Sequence, residues 1–241
     1  MAQRIPDFAI VIPCKNEAGY IERTLAAIQA QDALTPDTPI IIADAGSTDG
    51  TLALIEAFRQ ASGLNISLTA GGLPPAARNR GAALVQAPYI FFIDADIALG
   101  EPDTLSKALR LINNQNLDLV VTHIRCRDAN WFDRFFWGAY GVFARLKVMG
   151  PVVTGMFICI RRDRFEAIGG FDERMLLGDD VEIGRQVPAS KFAVADTWIE
   201  TTNRRFVKNG YVQTVLEYIR VFFSRSRRLQ NHLTYFENTA S

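Results

Sequence analysis

Two aspartates, Asp94 and Asp96, stand one residue apart at the end of the apolar run "YIFFIDAD". Two like charges this close repel each other, so their place at the end of a buried strand needs a reason. Carboxylate oxygens suit Mg²⁺ and Mn²⁺, which would relieve the repulsion. Alternate residues of a strand point to one face, so both side chains are predicted to address one site. The alternative is that they cap a loop or a helix.

Two other apolar runs also end in polar residues. Asn16 and Glu17 follow the first run, and Asp44 ends the second, with Asp49 shortly after it. In an open parallel sheet, ligands bind beyond the carboxyl ends of the strands. The three strand ends are therefore predicted to line a negative crevice that a hard divalent cation would neutralise.

A glycine-rich turn precedes a predicted helix in "GGLPPAARNRGAALVQA", which carries Arg78 and Arg80. Helix N-termini and guanidinium groups both attract phosphate, so this segment is a candidate diphosphate contact. The alternative is a solvated helix face, on which two arginines are ordinary.

A second acidic pair, Asp179 and Asp180, begins a predicted helix in "GDDVEIGRQV". Negative charge is favoured at a helix N-terminus, and Asp179 shares a helix face with Glu182. A carboxylate in this position acts either as a cap or as a general base, and the local sequence leaves both interpretations open.

The elements that position these residues follow from apolar patterning. Continuous apolar runs predict strands of a parallel sheet covered on both faces, at residues 8–13, 39–44, 89–96 and 117–124. Helical patterns between them predict a doubly wound, mostly parallel α/β sheet with helices on both faces. The second half predicts a partly helical aromatic segment, a strand, a turn and a short helix, a helix before Pro188 and a late strand.

The 241 residues suit one large α/β domain, alone or with an appendage. A formal net charge of zero gives no reason to expect nucleic acid as a partner. The three isolated cysteines, the lack of a secretory signal pattern and the lack of a long uncharged apolar run predict a cytoplasmic protein.

Charge is uneven near the C-terminus, where residues 204–228 are predicted to be helical and hold seven basic side chains and one acidic. Aromatic and aliphatic residues lie between the basic ones, a pattern typical of helices on anionic membranes. With the aromatic segment at residues 131–150, this suggests a lipid-linked acceptor and peripheral contact with the inner face of a membrane. The alternative is that both segments are core and that the arginines bind diphosphate or form salt bridges.

Five segments of the chain carry a further signal in combination: "VIPCKNEAGYIERTL", "IIADAGSTDGT", "AARNRGAALVQAPYIFFIDAD", "TGMFICIRRDRFEAIGGFDE" and "GDDVEIGRQV". Together they resemble family 2 glycosyltransferases, which have the GT-A fold. The resemblance covers roughly residues 8–210 and leaves residues 211–241 as a basic amphipathic helical tail. Two positions depart from the family pattern: Ala45 replaces a residue that is often acidic or glycine, and Asp179 replaces a glutamate.

The resemblance implies a role for each matching residue. Asp94 and Asp96 would form the DxD motif, with Asp96 the more direct ligand of Mg²⁺ or Mn²⁺, and Asp180 would be the catalytic base. The donor-binding residues would be Pro13, Asn16, Glu17, Asp44, Arg78, Asp94, Ala95 and Asp96. The acceptor and sugar pocket would include Gly155, Met156 and Asp179.

The implied activity is a metal-dependent, inverting transfer of a sugar from a UDP- or GDP-sugar to a hydroxyl acceptor, either a saccharide or a lipid-linked one. A nucleotidyltransferase is the first alternative, but it would carry a glycine-rich run and a basic residue where this chain has "PCKNEAGY". A catalytically silent binding module is the second, and it would lack carboxylates that Asp94, Asp96 and Asp180 supply. The sequence does not indicate an oligomeric state.

Overall fold

The structure is a computed structural model that describes residues 7–147, 150–175 and 177–223. Its strands are β1 (Phe8–Cys14), β2 (Ile40–Asp44), β3 (Ile66–Ala70), β4 (Tyr89–Ile93), β5 (Ala98–Leu99), β6 (Leu119–Cys126), β7 (Phe157–Arg161) and β8 (Phe192–Thr201). Its helices are α1 (Ile21–Gln29), α2 (Thr51–Ser62), α3 (Pro74–Ala83), α4 (Thr104–Asn114), α5 (Trp131–Leu146), α6 (Arg162–Ala167), α7 (Asp179–Arg185), α8 (Arg204–Asn209) and α9 (Tyr211–Phe223).

The strands form one sheet in the order β3-β2-β1-β4-β7-β6-β8-β5. The first four strands in that order are parallel, β7 runs antiparallel to both its neighbours, and β6 and β8 are again parallel. The predicted mixed, mostly parallel α/β sheet is confirmed. Because β2, β1 and β4 are adjacent, the three acidic strand ends meet at one edge of the sheet.

Alternation along β1 explains why helices cover both faces. Ile10 and Ile12 belong to a core cluster with residues of α1, α2 and α4, whereas Ala9 and Val11 belong to a second cluster with residues of α3, α6 and α7. Burying each large side chain of this kind contributes roughly 1.5–3 kcal/mol. Gly81 lets α3 lie directly on β1, because a Cβ there would be 2.3 Å from Cγ1 of Val11.

The helix α5 begins at a capping box. The side chain of Asn130 accepts hydrogen bonds from the backbone N–H groups of Phe132 and Asp133, and Asp133 accepts one from Asn130. Such caps typically contribute about 1 kcal/mol. Aromatic contacts hold α5 to the last two helices, among them Trp137 with Phe206 of α8.

Three local predictions were wrong. The edge strand β3 was not predicted, since its side chains are mostly exposed and its run of five residues is only weakly apolar. The strand predicted at 89–96 ends at Ile93, so Asp94 and Asp96 lie in a turn. The single helix predicted for 204–228 is broken at Gly210, and its last five residues lie outside the described part.

Within the described residues, no helix has both the length and the apolar character that crossing a membrane would require.

Candidate functional site

The loops after β1 and β2 are tied together by hydrogen bonds. The backbone N–H of Asn16 donates to Oγ of Ser47 and that of Thr48 donates to Oδ1 of Asn16, each at 2.8 Å. The N–H of Glu17 donates to Oγ1 of Thr51, also at 2.8 Å. Asn16 has a positive φ of 53°, a conformation that asparagine tolerates better than most residues. These bonds hold the loops after β1 and β2 together, and we call the two joined loops the rim.

The carboxylate of Asp44 shapes the second of these loops. It accepts hydrogen bonds from the N–H groups of Gly46 and Ser47 at 2.9 and 3.0 Å, and from the Ser47 hydroxyl at 2.5 Å. Pro13 pairs with Ala43 in the neighbouring strand, one residue before the rim. Asp44 and Pro13 therefore lie together at the predicted crevice.

One arginine from the far end of the chain lies between two carboxylates of this crevice. Arg204, the first residue of α8, donates to both Glu17 oxygens at 2.8 and 2.6 Å and lies 2.9 Å from Oδ2 of Asp96. Its guanidinium lies over the ring of Tyr20, 4.8 Å from the centroid. Burial raises the pKa of Glu17, and the bonds to Arg204 oppose that rise. We call Glu17, Asp96 and Arg204 the outer cluster.

A second arginine bridges two other carboxylates. Arg78 of α3 donates to Asp179 at 2.7 Å and to Asp94 at 2.8 Å, and its Nη2 also reaches the carbonyl oxygen of Gly155 at 3.3 Å. Its side chain is only 5% exposed, so the solvated helix face considered for Arg78 is wrong. We call Arg78, Asp94 and Asp179 the inner cluster.

Residue 155 must be small for the inner cluster to form. A Cβ on Gly155 would lie 2.5 Å from Nη2 of Arg78. Asp94 is fixed from the other side, because its N–H donates to the carbonyl of Met156 at 3.1 Å. Burial raises the pKa of Asp94 to about 7, and the ion pair with Arg78 opposes that rise.

The two aspartates that were predicted to form a DxD motif therefore have different partners. Because β4 ends before them, strand alternation does not place their side chains, and the prediction that it would is wrong. Asp94 pairs with Arg78 and Asp96 with Arg204. Ala95 between them is buried, and its carbonyl accepts a hydrogen bond from the Thr24 hydroxyl at 2.8 Å.

Asp180 lies directly beside the inner cluster. One of its oxygens accepts the N–H of Gly155 at 2.6 Å, and the other accepts the N–H of Val181 at 2.8 Å. Burial raises the pKa of Asp180 to about 6, with a further contribution from the negative charge of Asp179. A carboxylate tuned in this way is unprotonated at neutral pH and can accept a proton.

A cavity of about 580 Å³ opens onto Asp180. Its polar end is formed by the inner cluster together with Asp180, Gly155 and Met156, so the structure brings the predicted base and acceptor residues together. Its remaining wall is largely apolar and comes mostly from α5, α9 and the segment 152–154, with Arg205 of α8 as a charged member. Among the residues of that wall are Phe136, Tyr140, Phe143, Val215 and Ile219.

Sequence reasoning missed two contributors to this site. Arg204 was named only as one of the basic residues of the tail, for which salt bridges were the alternative, and its partner Glu17, 187 residues away, was not predicted. Tyr140, whose hydroxyl donates to the carbonyl of Val152 at 3.2 Å, was treated only as one aromatic among many. No spacing rule links such distant positions, so only the fold reveals them.

A divalent cation fits the outer cluster better than the inner one. Among the described residues, no group of three or more His, Cys, Asp or Glu side chains is arranged to hold a metal ion. Mg²⁺, however, typically takes one or two carboxylates and completes its shell with substrate phosphates and water. Glu17 and Asp96 already hold one positive charge between them, whereas Asp94 is fixed to Arg78. Asp96 is thus the residue best suited to bind a metal.

The sheet, in which β7 runs antiparallel between β4 and β6, has the GT-A fold, which two solved glycosyltransferase structures share. The chain belongs to glycosyl transferase family 2, because the sequence model of that family matches residues 9–166. A solved structure with the same fold is the mannosyltransferase PcManGT from Pyrobaculum calidifontis in complex with GDP-Man and Mn²⁺. It has a TM-score of 0.68 and 21% identity, over 90% of this chain and 65% of that one.

Another is S. aureus TarS 1-349 in complex with UDP-GlcNAc, with a TM-score of 0.63 and 18% identity over 81% of this chain and 58% of that one. A curated relative is a PGL/p-HBAD biosynthesis glycosyltransferase of Mycobacterium bovis, 31% identical over 173 residues. That match covers 70% of this chain and 64% of the relative, so the chain spans slightly less than two thirds of the relative's length.

Proposed function

We propose that this protein transfers a sugar from a nucleotide-sugar donor to the hydroxyl group of an acceptor. The observation that carries the proposal is Asp180, a carboxylate with a pKa raised to about 6, at the point where the acidic sheet edge meets the cavity. Membership of glycosyl transferase family 2 supports the reaction class. The solved relatives with UDP-GlcNAc and GDP-Man support a nucleotide sugar as donor.

In this proposal the donor lies along the rim formed by the loops after β1 and β2. Asn16, Glu17 and Asp44 border the base and the ribose, and the diphosphate lies toward Asp96. Mg²⁺ or Mn²⁺ held by Asp96 would stabilise negative charge on the leaving diphosphate. Arg78 already donates to two carboxylates, so we assign it the positioning of Asp94 and Asp179.

The transfer is a single displacement. The acceptor oxygen forms a bond to the anomeric carbon while the bond from that carbon to the diphosphate oxygen breaks, and the electron pair leaves with the diphosphate. The acceptor proton passes to Asp180. Attack from the side opposite the leaving group inverts the anomeric configuration.

The cavity supports an acceptor that carries an apolar portion, such as a lipid-linked one. Ligand cavities commonly enclose about 300–1,000 Å³, and this one has about 580 Å³. Its wall beyond Asp180 consists of side chains such as Phe136, Phe143 and Val215. A purely polar saccharide would leave its hydroxyl groups without partners against such a wall.

The test compares Asp180→Asn with the unchanged protein after a screen of nucleotide sugars with Mg²⁺ or Mn²⁺. Stabilising donors are identified by thermal shift, and transfer or hydrolysis is followed by release of nucleoside diphosphate. Loss of the base should lower the rate by about 10²–10⁴, with donor binding retained.

Asp163→Asn on α6 is the matched control, because it removes a largely exposed carboxylate that pairs with Arg161. Turnover by Asp180→Asn at the normal rate would refute the role of the base. The absence of stabilisation by any nucleotide sugar would refute the reaction class.

A further inference from the structure

The outer side of α5 carries a line of exposed apolar side chains, which we call the α5 strip. Its members are Trp131, Phe135, Val142 and Leu146, with exposed fractions of 79, 70, 60 and 64%. At 3.6 residues per turn, positions 131, 135, 142 and 146 fall on one side of the helix. Four large apolar side chains in a row on a capped helix are unusual for a surface that faces only water.

One flank of the α5 strip is basic. A cavity of about 680 Å³ along that flank is lined by Arg125, Arg127, Arg134 and Arg145. Neither Arg127 nor Arg134 forms an ion pair with any residue that the structure describes. Arg145 reaches Asp196 at 3.3 Å, but that carboxylate is 99% exposed and such a pair is weak.

The acidic residues around this basic flank do not neutralise it. Asp133 is completely buried and accepts hydrogen bonds from Asn130 and Asn203. Glu101 is paired with Lys107 at 2.7 Å. The flank therefore presents an excess of guanidinium groups, which suit phosphate.

The other flank of the α5 strip leads to the apolar cavity beside Asp180. Ala139 and Phe143, one step around the helix from the strip, line that cavity. On α9, Ile219 also lines it and is itself 48% exposed, next to the exposed Leu216. Apolar surface is thus continuous from the strip into the cavity.

We propose that the α5 strip docks on an anionic lipid bilayer. Trp131 and Phe135 enter the boundary between headgroups and acyl chains, where aromatic side chains are favoured. Arg127 and Arg134 contact headgroup phosphates, each basic residue near such a surface adding to the attraction. The charge beside the strip favours an anionic bilayer over a second copy of the chain, which would bring like charges together. This inference goes beyond the proposed sugar transfer and does not depend on it.

The experiment measures co-sedimentation of the full chain with vesicles of phosphatidylcholine, alone or mixed with phosphatidylglycerol. The unchanged protein should sediment with the mixed vesicles and much less with the neutral ones. Trp131→Ser with Phe135→Ser should weaken binding at least about tenfold. Leu68→Ser with Leu84→Ser, which removes two apolar side chains that are 45 and 59% exposed elsewhere, should leave binding unchanged.

The arginines are tested separately. Arg127→Gln with Arg134→Gln should weaken binding to the mixed vesicles only, and added salt should reduce the difference. The basic residues Arg225, Arg227 and Arg228 lie outside the described part of the chain. A variant with all three changed to Gln should still bind through the α5 strip.

The proposal is overturned if the unchanged protein does not sediment with mixed vesicles, or sediments equally with neutral ones. It is also overturned if the change at residues 225, 227 and 228 abolishes binding while the change at residues 131 and 135 does not. Circular dichroism and thermal melting check that each variant is folded. If the change at residues 131 and 135 prevents folding, Val142→Ser with Leu146→Ser repeats the test on the same strip.

Discussion

Two arginines in this protein each bridge two carboxylates, yet their surroundings differ. In the inner cluster the side chain of Arg78 is 5% exposed, and its two terminal nitrogens donate to Asp94, Asp179 and the Gly155 carbonyl. In the outer cluster the side chain of Arg204 is 43% exposed. Arg204 is the first residue of α8, a helix of only six residues. The same set of charges is fixed in one place and accessible to solvent in the other.

The difference shows which carboxylates are free to exchange partners. A buried ion pair that loses one member leaves an uncompensated charge, so the inner cluster resists change. The guanidinium of Arg204 is more accessible to solvent than that of Arg78, and solvent screening weakens its ion pairs, so a metal ion can take its place between Glu17 and Asp96 at a lower cost. We therefore expect the inner cluster to position catalytic groups and the outer cluster to open when the donor binds.

Removal of the inner arginine should have the largest effect on stability. Arg78→Met leaves Asp94 and Asp179 without their cation in a buried site, which should lower the free energy of unfolding by about 3–5 kcal/mol. Urea denaturation measures the loss. Because burial raises the pKa of Asp94 to about 7, this carboxylate is neutralised by protonation in acid, and the difference from the unchanged protein should shrink as the pH is lowered.

Arg59→Met is the control, since Arg59 pairs with Glu56 on the solvent face of α2. It should have a much smaller effect. If Arg78→Met and Arg59→Met lower the free energy of unfolding equally, the inner cluster has no special role in stability.

The fit of Arg78 against the backbone can be tested with one methyl group. Gly155→Ala would place a Cβ 2.5 Å from the guanidinium, so the arginine must shift away from its partners. Overpacking of this kind typically destabilises by about 1–3 kcal/mol. Thermal melting should show the loss, together with weaker activity because Gly155 also donates to Asp180.

Gly138→Ala in α5 is the matched glycine, because a Cβ there meets no atom within 4 Å. That change should be neutral or slightly stabilising, as alanine favours helix more than glycine does. If both changes behave alike, residue 155 has no special packing role.

The pH dependence of the rate tests whether the base is Asp180, beside the inner cluster, or Glu17 of the outer cluster. Asp180 must be unprotonated to accept a proton, and its pKa is raised to about 6. The value of kcat/KM should therefore be level above that pH and fall about tenfold per unit below it. Asp180→Asn should lack this fall in its residual rate. If the pH at which kcat/KM falls changes in Arg204→Gln, the base is instead Glu17 of the outer cluster.

Removal of the outer arginine should have the smallest effect on stability. Arg204→Gln should lower the free energy of unfolding by less than Arg78→Met does, because the side chain of Arg204 is 43% exposed and solvent screens its ion pairs. It should nevertheless strengthen Mn²⁺ binding to the donor-free protein a few-fold, because the cation no longer competes with a guanidinium. Isothermal calorimetry measures this binding directly.

Arg23→Gln provides the comparison, since Arg23 also forms a partly exposed pair with a glutamate, Glu200. Unchanged or weaker Mn²⁺ binding in Arg204→Gln would show that the outer cluster is not where the cation binds.

The acidic edge of the sheet could be predicted because it depends on local patterns. Apolar runs followed by Asn16, Asp44 and Asp94 indicate strands that end at one edge, and the observed order of β2, β1 and β4 confirms this. The partners of the aspartates could not be predicted. Arg78 meets Asp179 across 101 residues and Arg204 meets Glu17 across 187, and these contacts depend on the packing of whole helices.

The buried side of the aromatic segment at residues 131–150 could not be predicted either. Its pattern correctly predicted a helix, but its composition did not reveal which side would be buried. Trp137 faces the core, whereas Trp131 is 79% exposed, and only the packing of α8 and α9 against α5 separates them.

The contact between Glu17 and Arg204 can form only late in the synthesis of the chain. At the usual 5–20 residues per second, the ribosome adds the 187th residue after Glu17 roughly 10–40 s later. The strands β1 to β4 can pair during that interval, while Glu17 and Asp96 remain without their arginine. The outer cluster is therefore completed only after these four strands have been synthesised, so its ion pairs cannot guide the pairing of the strands.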